Sequence, residues 1–537
     1  MAIARPAEPY PDPSWWGWGD PGQVPVLPEA VRKLLTEGLG VRAGGARPQS
    51  LDDVALPDIR LGPAVLDELG AVVGPAQVST DPESRIRHSA GKSTPDLLRL
   101  RAGDAGTAPD AVLTPASHDE VLGVLGICSD RRVAVVPFGG GTSVVGGLAP
   151  EGRAFTGVIA LDLRRMNAML ELDEVSRVAV LEAGLRAPQA EALLSQRGYT
   201  LGHFPQSFEY ATIGGFAAAR SSGQASAGYG RFDEMVVSLQ VATPAGTLAL
   251  GRAPKSAAGP DLRQLVLGSE GAFGVITSVG VTVRPLPEAR RYEGWRLESF
   301  AAGIDVLRAL AQDGPRPTVL RLSDEVETAL NLAAPGELGS GGEGALAIIG
   351  YEGTAAEVKE RSAAVARVLE AAGAQLDLDA GEAWARERYR GPYLRDALLD
   401  AGALAETLET ATFWSRLPAL YEAVGSALRD ALTARGTPPV VLCHVSHVYS
   451  AGASLYFTVG AAQADDPLAQ WEAGKAAASD AIAASGGSIT HHHGVGVDHR
   501  PWYVREVGPL AVGALRAVKA ELDPAGIMNP GVLIPRE

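Results

Sequence analysis

The stretch "RVAVVPFGGGTSVVGG", residues 132–147, predicts a short buried strand that runs directly into a loop with three consecutive glycines. Such a junction is typical of a backbone cradle for phosphate groups. Two common cradles are excluded, because no Lys-Ser or Lys-Thr pair follows the glycines and because Val144 stands where a GxGxxG motif from Gly139 needs its last glycine. A nest of backbone N–H groups that holds a pyrophosphate without a lysine remains, with a plain tight turn as the alternative.

Two further glycine-rich stretches are followed by strand patterns. The first runs from Leu201 as "LGHFPQSFEYATIGGFAAARSSGQASAGYGRFDE", and its helical periodicity is too poor to predict a simple core helix. The second, "LGSEGAFGVITSVGVTVRP" from Leu267, predicts a turn over Gly268–Gly274 and then a strand. Three such loops are expected to line one extended cofactor from three sides. Near its end the chain has turn-forming residues in "LDPAGIMNPGVLIP".

Composition excludes several classes of protein. A length of 537 residues exceeds a single hydrophobic core and predicts two or three domains. The net charge of −16, with no run of Lys and Arg, predicts no nucleic-acid partner. With only Cys128 and Cys443, neither a disulfide framework nor a CxxC metal site is expected, and a cytoplasmic location fits. No apolar signal core and no membrane-spanning window is found, which predicts a soluble protein with at most peripheral membrane contact.

The order of these motifs resembles the FAD-binding flavoproteins of the vanillyl-alcohol-oxidase type. The resemblance is carried by PFGGGTS, LEAG, PQS with TIGG, GYGRFDE, GSEGAFGVIT and DPAGIMNPG. Within this superfamily the chain is similar to the alkyldihydroxyacetone-phosphate synthase family of ether lipid biosynthesis, through WWGWGD, GHFPQS, VLRLSD, YLRD, ETLETATFW, LYF and HHHGVG. Phe204 and Gln206 stand where that family has acidic residues, and Ala405 and Leu408 also differ.

The resemblance implies an α+β fold, in which a two-subdomain FAD-binding domain of the vanillyl-alcohol-oxidase (PCMH) type is combined with an α+β cap domain. The expected divisions are a partly helical N-terminal extension over 1–75, the FAD-binding domain over 76–287, the cap over 288–499, and a C-terminal return to the FAD domain over 500–537. A homodimer is also expected from the family.

The expected cofactor is FAD, held noncovalently. Many flavoproteins of this type attach FAD through a histidine in the first glycine loop, but Thr142 stands there and its hydroxyl cannot form that bond. The residues expected around FAD are Pro137, Phe138, Gly139, Gly140, Gly141, Thr142, Ser143, Gln206, Ser207, Thr212, Gly214, Gly215, Ser221, Ser222, Glu270, Gly271, Gly274, Val275 and Ile276.

Three consecutive histidines, His491, His492 and His493, interrupt the sequence far from either end. Taken alone, these histidines are either a run that is solvated or hydrogen-bonded for structural reasons, or the ligands of a metal ion. In an extended segment the outer two point one way and His492 the other, so a metal site is not expected. The resemblance implies instead that the triplet lines the active site, where imidazoles bind substrate phosphate and transfer protons.

Four other residues acquire roles through the resemblance. Tyr456, in the alternating pattern "ASLYFTV", becomes the base that removes a proton from the substrate, although a core aromatic is the alternative and a phenol needs cationic or histidine neighbours to ionise. Arg395, at the start of a predicted helix, becomes a clamp for substrate phosphate rather than a surface arginine. Arg321 is expected to bind substrate or to be structural, and His203 to face the flavin.

The implied reaction is an exchange without net oxidation or reduction. Tyr456 removes a proton from C1 of acyl-dihydroxyacetone phosphate, flavin N5 forms an adduct as the fatty acid leaves, and a long-chain alcohol adds to give the ether. The alternative is an oxidase or dehydrogenase that transfers hydride from an alcohol or 2-hydroxy acid to N5, because one fold supports many functions.

Overall fold

The computed structural model describes residues 3–42 and 50–536 and has the expected α+β composition. Residues 1, 2 and 43–49 of the predicted N-terminal extension, and residue 537 of the predicted C-terminal return, lie outside the described residues. Three sheets of four, five and seven strands are present in the described chain, together with one two-stranded pair.

Sheet I contains the strand predicted from the first glycine motif. Its order is β1-β2-β4-β3, with β1 (Val78–Ser79), β2 (Ala111–Leu113), β3 (Val133–Phe138) and β4 (Gly157–Asp162). Val133, Val135 and Val136 are buried between the sheet and its helices, as β-branched residues favour. β3 therefore delivers the glycine loop at a fixed edge of the sheet.

Sheet II is antiparallel and carries the third glycine loop. The next strands are β5 (Met169–Asp173), β6 (Val178–Glu182), β7 (Tyr199–Thr200), β8 (Val236–Thr243), β9 (Gly246–Leu250), β10 (Val275–Thr282) and β11 (Arg284–Pro285). Sheet II has the order β5-β6-β10-β8-β9, while β7 pairs with β11. Because β10 begins at Val275, directly after the turn, the predicted turn and strand are both present. Sheets I and II share one hydrophobic core.

Sheet III is a seven-stranded antiparallel sheet with its own core. Its strands are β12 (Ala289–Leu297), β13 (Val319–Ser323), β14 (Ala345–Gly353), β15 (Gln375–Asp377), β16 (Ala403–Phe413), β17 (Val440–Val448) and β18 (Gly452–Ala462), in the order β15-β12-β14-β13-β17-β18-β16. Tyr456 on β18 pairs with His444 on β17 and with Glu409 on β16. Directly paired residues share a face of the sheet, so these three side chains point the same way.

Helices cover the sheets and connect them. They are α1 (Glu29–Lys33), α2 (Pro63–Val73), α3 (Pro82–Arg87), α4 (Thr94–Arg101), α5 (His118–Arg131), α6 (Ala187–Ser195), α7 (Ile213–Ala219), α8 (Ser226–Tyr229), α9 (Phe232–Met235), α10 (Arg263–Val266), α11 (Phe300–Gln312), α12 (Glu325–Leu330), α13 (Ala355–Ala371), α14 (Leu378–Glu387), α15 (Gly391–Asp400), α16 (Leu417–Thr433), α17 (Pro467–Ala484) and α18 (Arg500–Leu522). Within the described residues, no helix combines the length and apolar character needed to cross a membrane.

The second glycine-rich stretch differs from the sequence prediction. It contains α7, although its helical periodicity was too poor to predict a core helix. The Thr212 side chain accepts a hydrogen bond from the backbone N–H of Gly215 and caps the helix, and Ile213 and Phe216 bury its inner face. Small residues hid the pattern, because Gly and Ala pack against a sheet without producing an apolar stripe.

The segment after α18 returns to sheet I. Met528 forms an isolated parallel bridge with Val135 of β3. The Asn529 side chain donates to the carbonyl of Gly147 at 2.9 Å and to that of Glu270 at 2.7 Å. One amide therefore holds the first and third glycine loops together.

Candidate active site

The main cavity, of about 400 Å³, lies between the glycine loops and sheet III. It brings together all nineteen residues that the sequence predicted around FAD, from Pro137 to Ile276. Tyr456, Arg395 and Arg321, and two of the three consecutive histidines, line the same cavity. Residues more than 300 positions apart thus meet around one space large enough for a ligand.

The first glycine loop fits a ligand that approaches the backbone closely. A Cβ atom on Gly139 would collide with Thr212, and one on Gly140 would collide with the carbonyl of Tyr210. Gly141 has φ of +67° and lies against Phe138, so a side chain is excluded there by both conformation and space. The loop presents backbone rather than side chains to the cavity, as a pyrophosphate cradle requires.

Glu270 joins the third glycine loop to the loop that follows the histidines. Its half-buried carboxylate accepts hydrogen bonds from the backbone N–H groups of Val495 at 2.9 Å and Gly496 at 3.0 Å. Burial raises its pKa to about 7, although these two bonds oppose the rise. The histidine loop is thereby fixed relative to the predicted FAD loops.

Glu409 anchors the histidine triplet through the backbone. Its side chain is completely buried, and it accepts hydrogen bonds from the N–H groups of His491 at 2.6 Å, His492 at 3.0 Å and His493 at 2.9 Å. The Thr490 hydroxyl donates a fourth, at 2.5 Å. The pKa of Glu409 lies well below its ordinary value: burial opposes this, and the nearby histidines and Thr490 more than compensate. One carboxylate from β16 therefore fixes the position of three consecutive residues.

The triplet is bent rather than extended, and the prediction of alternating side-chain directions is wrong. Nδ1 of His491 lies 3.1 Å from Nδ1 of His492. His447 of β17 stacks on His491 with 5.0 Å between ring centroids. Ligand nitrogens of His447, His491 and His492 all lie within 4.8 Å of one another, a spacing at which they could hold a metal ion. The alternating directions therefore give no argument against a metal ion. That the protein binds no metal stays a prediction.

The histidines of this cluster are neutral. Burial lowers the pKa of His492, and it lowers the pKa values of His447, His491 and His493 to well below 6.5. Glu409 opposes the decrease but does not overcome it. A neutral imidazole keeps a lone pair that can accept a hydrogen bond, whereas the lowered pKa opposes full protonation near neutral pH.

Tyr456 lies beside these imidazoles. Its ring is stacked on His444 with 4.9 Å between centroids, and it lies 5.6 Å from His493 in an edge-to-face arrangement. The histidine neighbours expected from sequence are present, but burial raises the pKa of Tyr456 to about 12, with Glu406 adding to the rise and Arg395 opposing it. In the resting site Tyr456 is therefore a phenol.

The arginines of the cavity differ in how they are paired. Arg321 forms an ion pair with the buried Glu327, which also contacts Nδ1 of His444 at 3.0 Å, so its charge is already compensated. Arg395 donates from Nη1 to the carbonyl of Lys92 at 2.6 Å, whereas its buried Nε and Nη2 have no hydrogen-bond partner among the described residues. Buried guanidinium nitrogens normally find acceptors, so Arg395 has two donors available for a ligand.

His203 and His491 do not line the cavity. Nε2 of His203 lies 3.0 Å from the hydroxyl of Ser221, and its ring packs against Phe216 and Phe232. Burial lowers its pKa to about 3. Since Ser221 does line the cavity, His203 is placed to support that serine from behind.

Several residues of the site were missed by sequence reasoning. His447 is held by the hydroxyls of Ser222 and Ser226, at 3.2 and 2.9 Å from its Nδ1. Its signal in the sequence is the pair of histidines in "CHVSHVYS", three residues apart, both of which the structure shows to be part of β17. Glu409 lies within "ETLETATFW", where the sequence alone does not distinguish it from Glu406.

Comparisons with known proteins agree with this geometry. The FAD binding domain model matches residues 109–250, and the C-terminal domain model of FAD linked oxidases matches residues 286–533. Alkyldihydroxyacetonephosphate synthase of Trypanosoma brucei brucei is 32% identical, over 97% of this chain and 92% of the relative. That of Dictyostelium discoideum is 34% identical, over 98% and 94%. A solved structure of an alkyldihydroxyacetonephosphate synthase superposes with a TM-score of 0.83 at 29% identity, covering 97% of this chain and 98% of the other. The predicted α+β class and the FAD cofactor are confirmed.

Proposed function

Because the chain belongs to the alkyldihydroxyacetonephosphate synthase family, we propose that it exchanges the acyl group of acyl-dihydroxyacetone phosphate for a long-chain alcohol. The C1–O bond to the acyl group breaks, and the fatty acid leaves as a carboxylate. A new C1–O bond to the alcohol forms as the alcohol hydroxyl loses its proton, and the release of this proton balances the charge of the departing carboxylate. A proton removed from C1 is returned to it, so no net electrons are transferred and the product is an ether.

The observation that carries this proposal is the free guanidinium edge of Arg395 in the cavity that contains Tyr456. A phosphate accepts two parallel hydrogen bonds from such an edge. Nε and Nη2 of Arg395 are both buried and unpaired, and its third nitrogen is held by the carbonyl of Lys92, which fixes the fork in place. Arg395 anchors the substrate phosphate, and C1 is directed toward Tyr456.

Proton transfer at C1 belongs to Tyr456 and the neutral histidines. Tyr456 has to lose its own proton before it can accept one. Arg395 favours the ionised form of Tyr456, and the neutral ring of His493 lies against the phenol ring. FAD, when bound, supplies covalent chemistry at its ring for the exchange. The finer assignments, namely noncovalent FAD, a homodimer, peripheral membrane contact and a cytoplasmic location, are part of this proposal.

An anaerobic exchange experiment tests the function. Purified holoprotein is mixed under argon with acyl-dihydroxyacetone phosphate, and the flavin absorbance near ~450 nm, a general property of flavins, is followed before and after adding hexadecanol. We expect the absorbance to fall with the first substrate and to recover with the alcohol, with an ether as product. Tyr456→Phe should stay yellow and show neither change. Recovery that needs oxygen and yields a ketone or aldehyde would identify an oxidase instead.

A further inference from the structure

A second arginine, Arg388, lines the cavity without a carboxylate partner. It follows the last residue of α14 and caps that helix. Among the described residues it forms no ion pair, and its buried Nη1 has no hydrogen-bond partner. Glu352 lies near Tyr292, one of the rings around Arg388. Its carboxylate already accepts hydrogen bonds from the phenols of Tyr229 at 2.8 Å and Tyr292 at 2.7 Å.

Aromatic rings surround the guanidinium of Arg388. Its central carbon lies 5.2 Å from the ring centroid of Phe204, 6.0 Å from Tyr292, 5.7 Å from Trp384 and 5.0 Å from Tyr389. Four rings at these distances stabilise the cation by cation–π contacts. A guanidinium in these surroundings interacts more strongly with an anion than one in bulk water does.

The wall of the cavity next to this group is mostly apolar, with Glu387 as its charged member. Trp384 belongs to a cluster with Ala333, and Phe204 and Tyr292 pack against the same cluster. Leu332, Ala333 and Pro335 also line the cavity. The ligand that suits a cation set into apolar walls is an amphiphile, with an anionic head on a hydrocarbon chain.

We infer that Arg388 binds the carboxylate head of the fatty acid that the exchange releases, an inference that rests on the proposed function. The reaction has two anionic groups to hold, a phosphate and a departing carboxylate. Among the residues that the structure describes, the cavity has two guanidinium groups without a carboxylate partner, Arg395 and Arg388, because Arg321 is paired with Glu327. A planar carboxylate matches the guanidinium fork, and the acyl chain lies along the Leu332–Pro335 wall. By holding the carboxylate, Arg388 stabilises the leaving group as the C1–O bond breaks.

Equilibrium binding to the holoprotein tests the inference without catalysis. Sodium decanoate, decanol and glycerol 3-phosphate are titrated by calorimetry into the wild type and into Arg388→Met, Arg388→Lys and Arg395→Met. We expect Arg388→Met to weaken decanoate binding at least about 10-fold, the loss of a charge-assisted hydrogen bond. Decanol and glycerol 3-phosphate should bind as before. Arg388→Lys keeps the positive charge but not the two parallel donors, so its decanoate affinity should lie between those of the wild type and Arg388→Met. Arg395→Met is the matched control and should weaken glycerol 3-phosphate alone.

Three results would overturn the inference. Decanoate affinity that is unchanged in Arg388→Met removes the carboxylate contact. Equal weakening of decanoate and decanol shows that Arg388 only supports the walls. Loss of glycerol 3-phosphate binding in Arg388→Met assigns Arg388 to the phosphate. If decanoate binding depends on Arg388 but the protein forms no ether, the carboxylate subsite is supported and the proposed exchange is wrong. If ether forms but decanoate binding does not depend on Arg388, the exchange is supported and the subsite is wrong.

Discussion

Replacing Glu409 by Gln is expected to displace the histidine triplet while leaving the protein folded and loaded with FAD. The carboxylate has two acceptor oxygens. Oε1 accepts from Thr490, His492 and His493, and Oε2 accepts from His491. A glutamine retains one oxygen and puts an NH2 group, which can only donate, in the place of the other.

The cost follows from these contacts. The best orientation keeps the amide oxygen at the Oε1 position, so the N–H of His491 faces an amide N–H and becomes a buried donor without an acceptor, which costs about 1–3 kcal/mol. The remaining bonds lose their charge assistance, which costs about 1–2 kcal/mol more. Since the side chain of Glu409 is completely buried, no water replaces them. The total of roughly 2–5 kcal/mol overlaps the range of about 3–5 kcal/mol for buried charge networks that lose one partner.

The assay is the rate of ether formation, with FAD content measured in parallel. Backbone N–H groups cannot turn into acceptors, so the loop has to move, and a shift of about 1 Å is enough to lower kcat about 100-fold. Glu352→Gln is the matched control, because its hydrogen-bond partners Tyr229 and Tyr292 are hydroxyls that can rotate to accept from the new amide, and its ion pair with Arg290, at 3.7 Å, involves an exposed arginine. It should keep near-normal kcat. Full activity in FAD-loaded Glu409→Gln would refute the anchoring role.

Four further outcomes are expected. Acid or heat should release all FAD from the yellow protein because Thr142 replaces an attachment histidine; flavin that stays on the denatured chain contradicts this. Arg395→Ala should raise KM, with a loss of about 2–5 kcal/mol in kcat/KM and unchanged FAD content, whereas normal kinetics would return Arg395 to a structural role. With the pKa of Tyr456 at about 12, kcat should rise about tenfold per pH unit between roughly pH 7 and 9, and a flat profile would assign the base to a histidine. Because burial lowers the pKa of His203 to about 3, its contribution to folding is present above the ordinary value of 6.5 and is lost as pH falls. His203→Gln should therefore lose up to about 2 kcal/mol less stability between pH 7.5 and 5 than the wild type in denaturant unfolding, and equal losses would contradict the assignment.

The elements that the sequence predicted well are those with local causes. β3 and its glycine loop follow from a run of β-branched residues and three glycines, and the strand of Tyr456 follows from simple alternation. α7 was not predicted, because a helix of Gly and Ala has no apolar stripe in its sequence and is stabilised by the surface against which it packs. The α+β class came from the order of many motifs, which the chain shares with relatives over nearly its whole length.

At the site, the gap between prediction and structure lies in pairing across the sheet. The register of β16, β17 and β18 brings Glu409, His444 and Tyr456 together, although "ETLETATFW", "CHVSHVYS" and "ASLYFTV" each look like an ordinary strand. The bend at His491 also depends on a partner, since Glu409 gathers three successive N–H groups that an extended strand would present to opposite sides. No local propensity records either fact.

The hydrogen bonds of Glu409 explain how the histidines stay neutral beside a buried carboxylate. A carboxylate facing imidazole rings would normally favour their protonation, as an ion pair does. Here the oxygens of Glu409 accept from backbone N–H groups and a hydroxyl at 2.5–3.0 Å, while its separations from Nδ1 of His492 and His493 are 3.6 and 4.0 Å. The carboxylate of Glu409 is hydrogen-bonded mainly to the backbone rather than to the imidazole rings. Desolvation lowers the pKa of His492 and His493 and keeps these rings neutral. The cluster next to Tyr456 thus combines a fixed position with neutral rings, and both properties suit the proposed removal and return of a proton at C1.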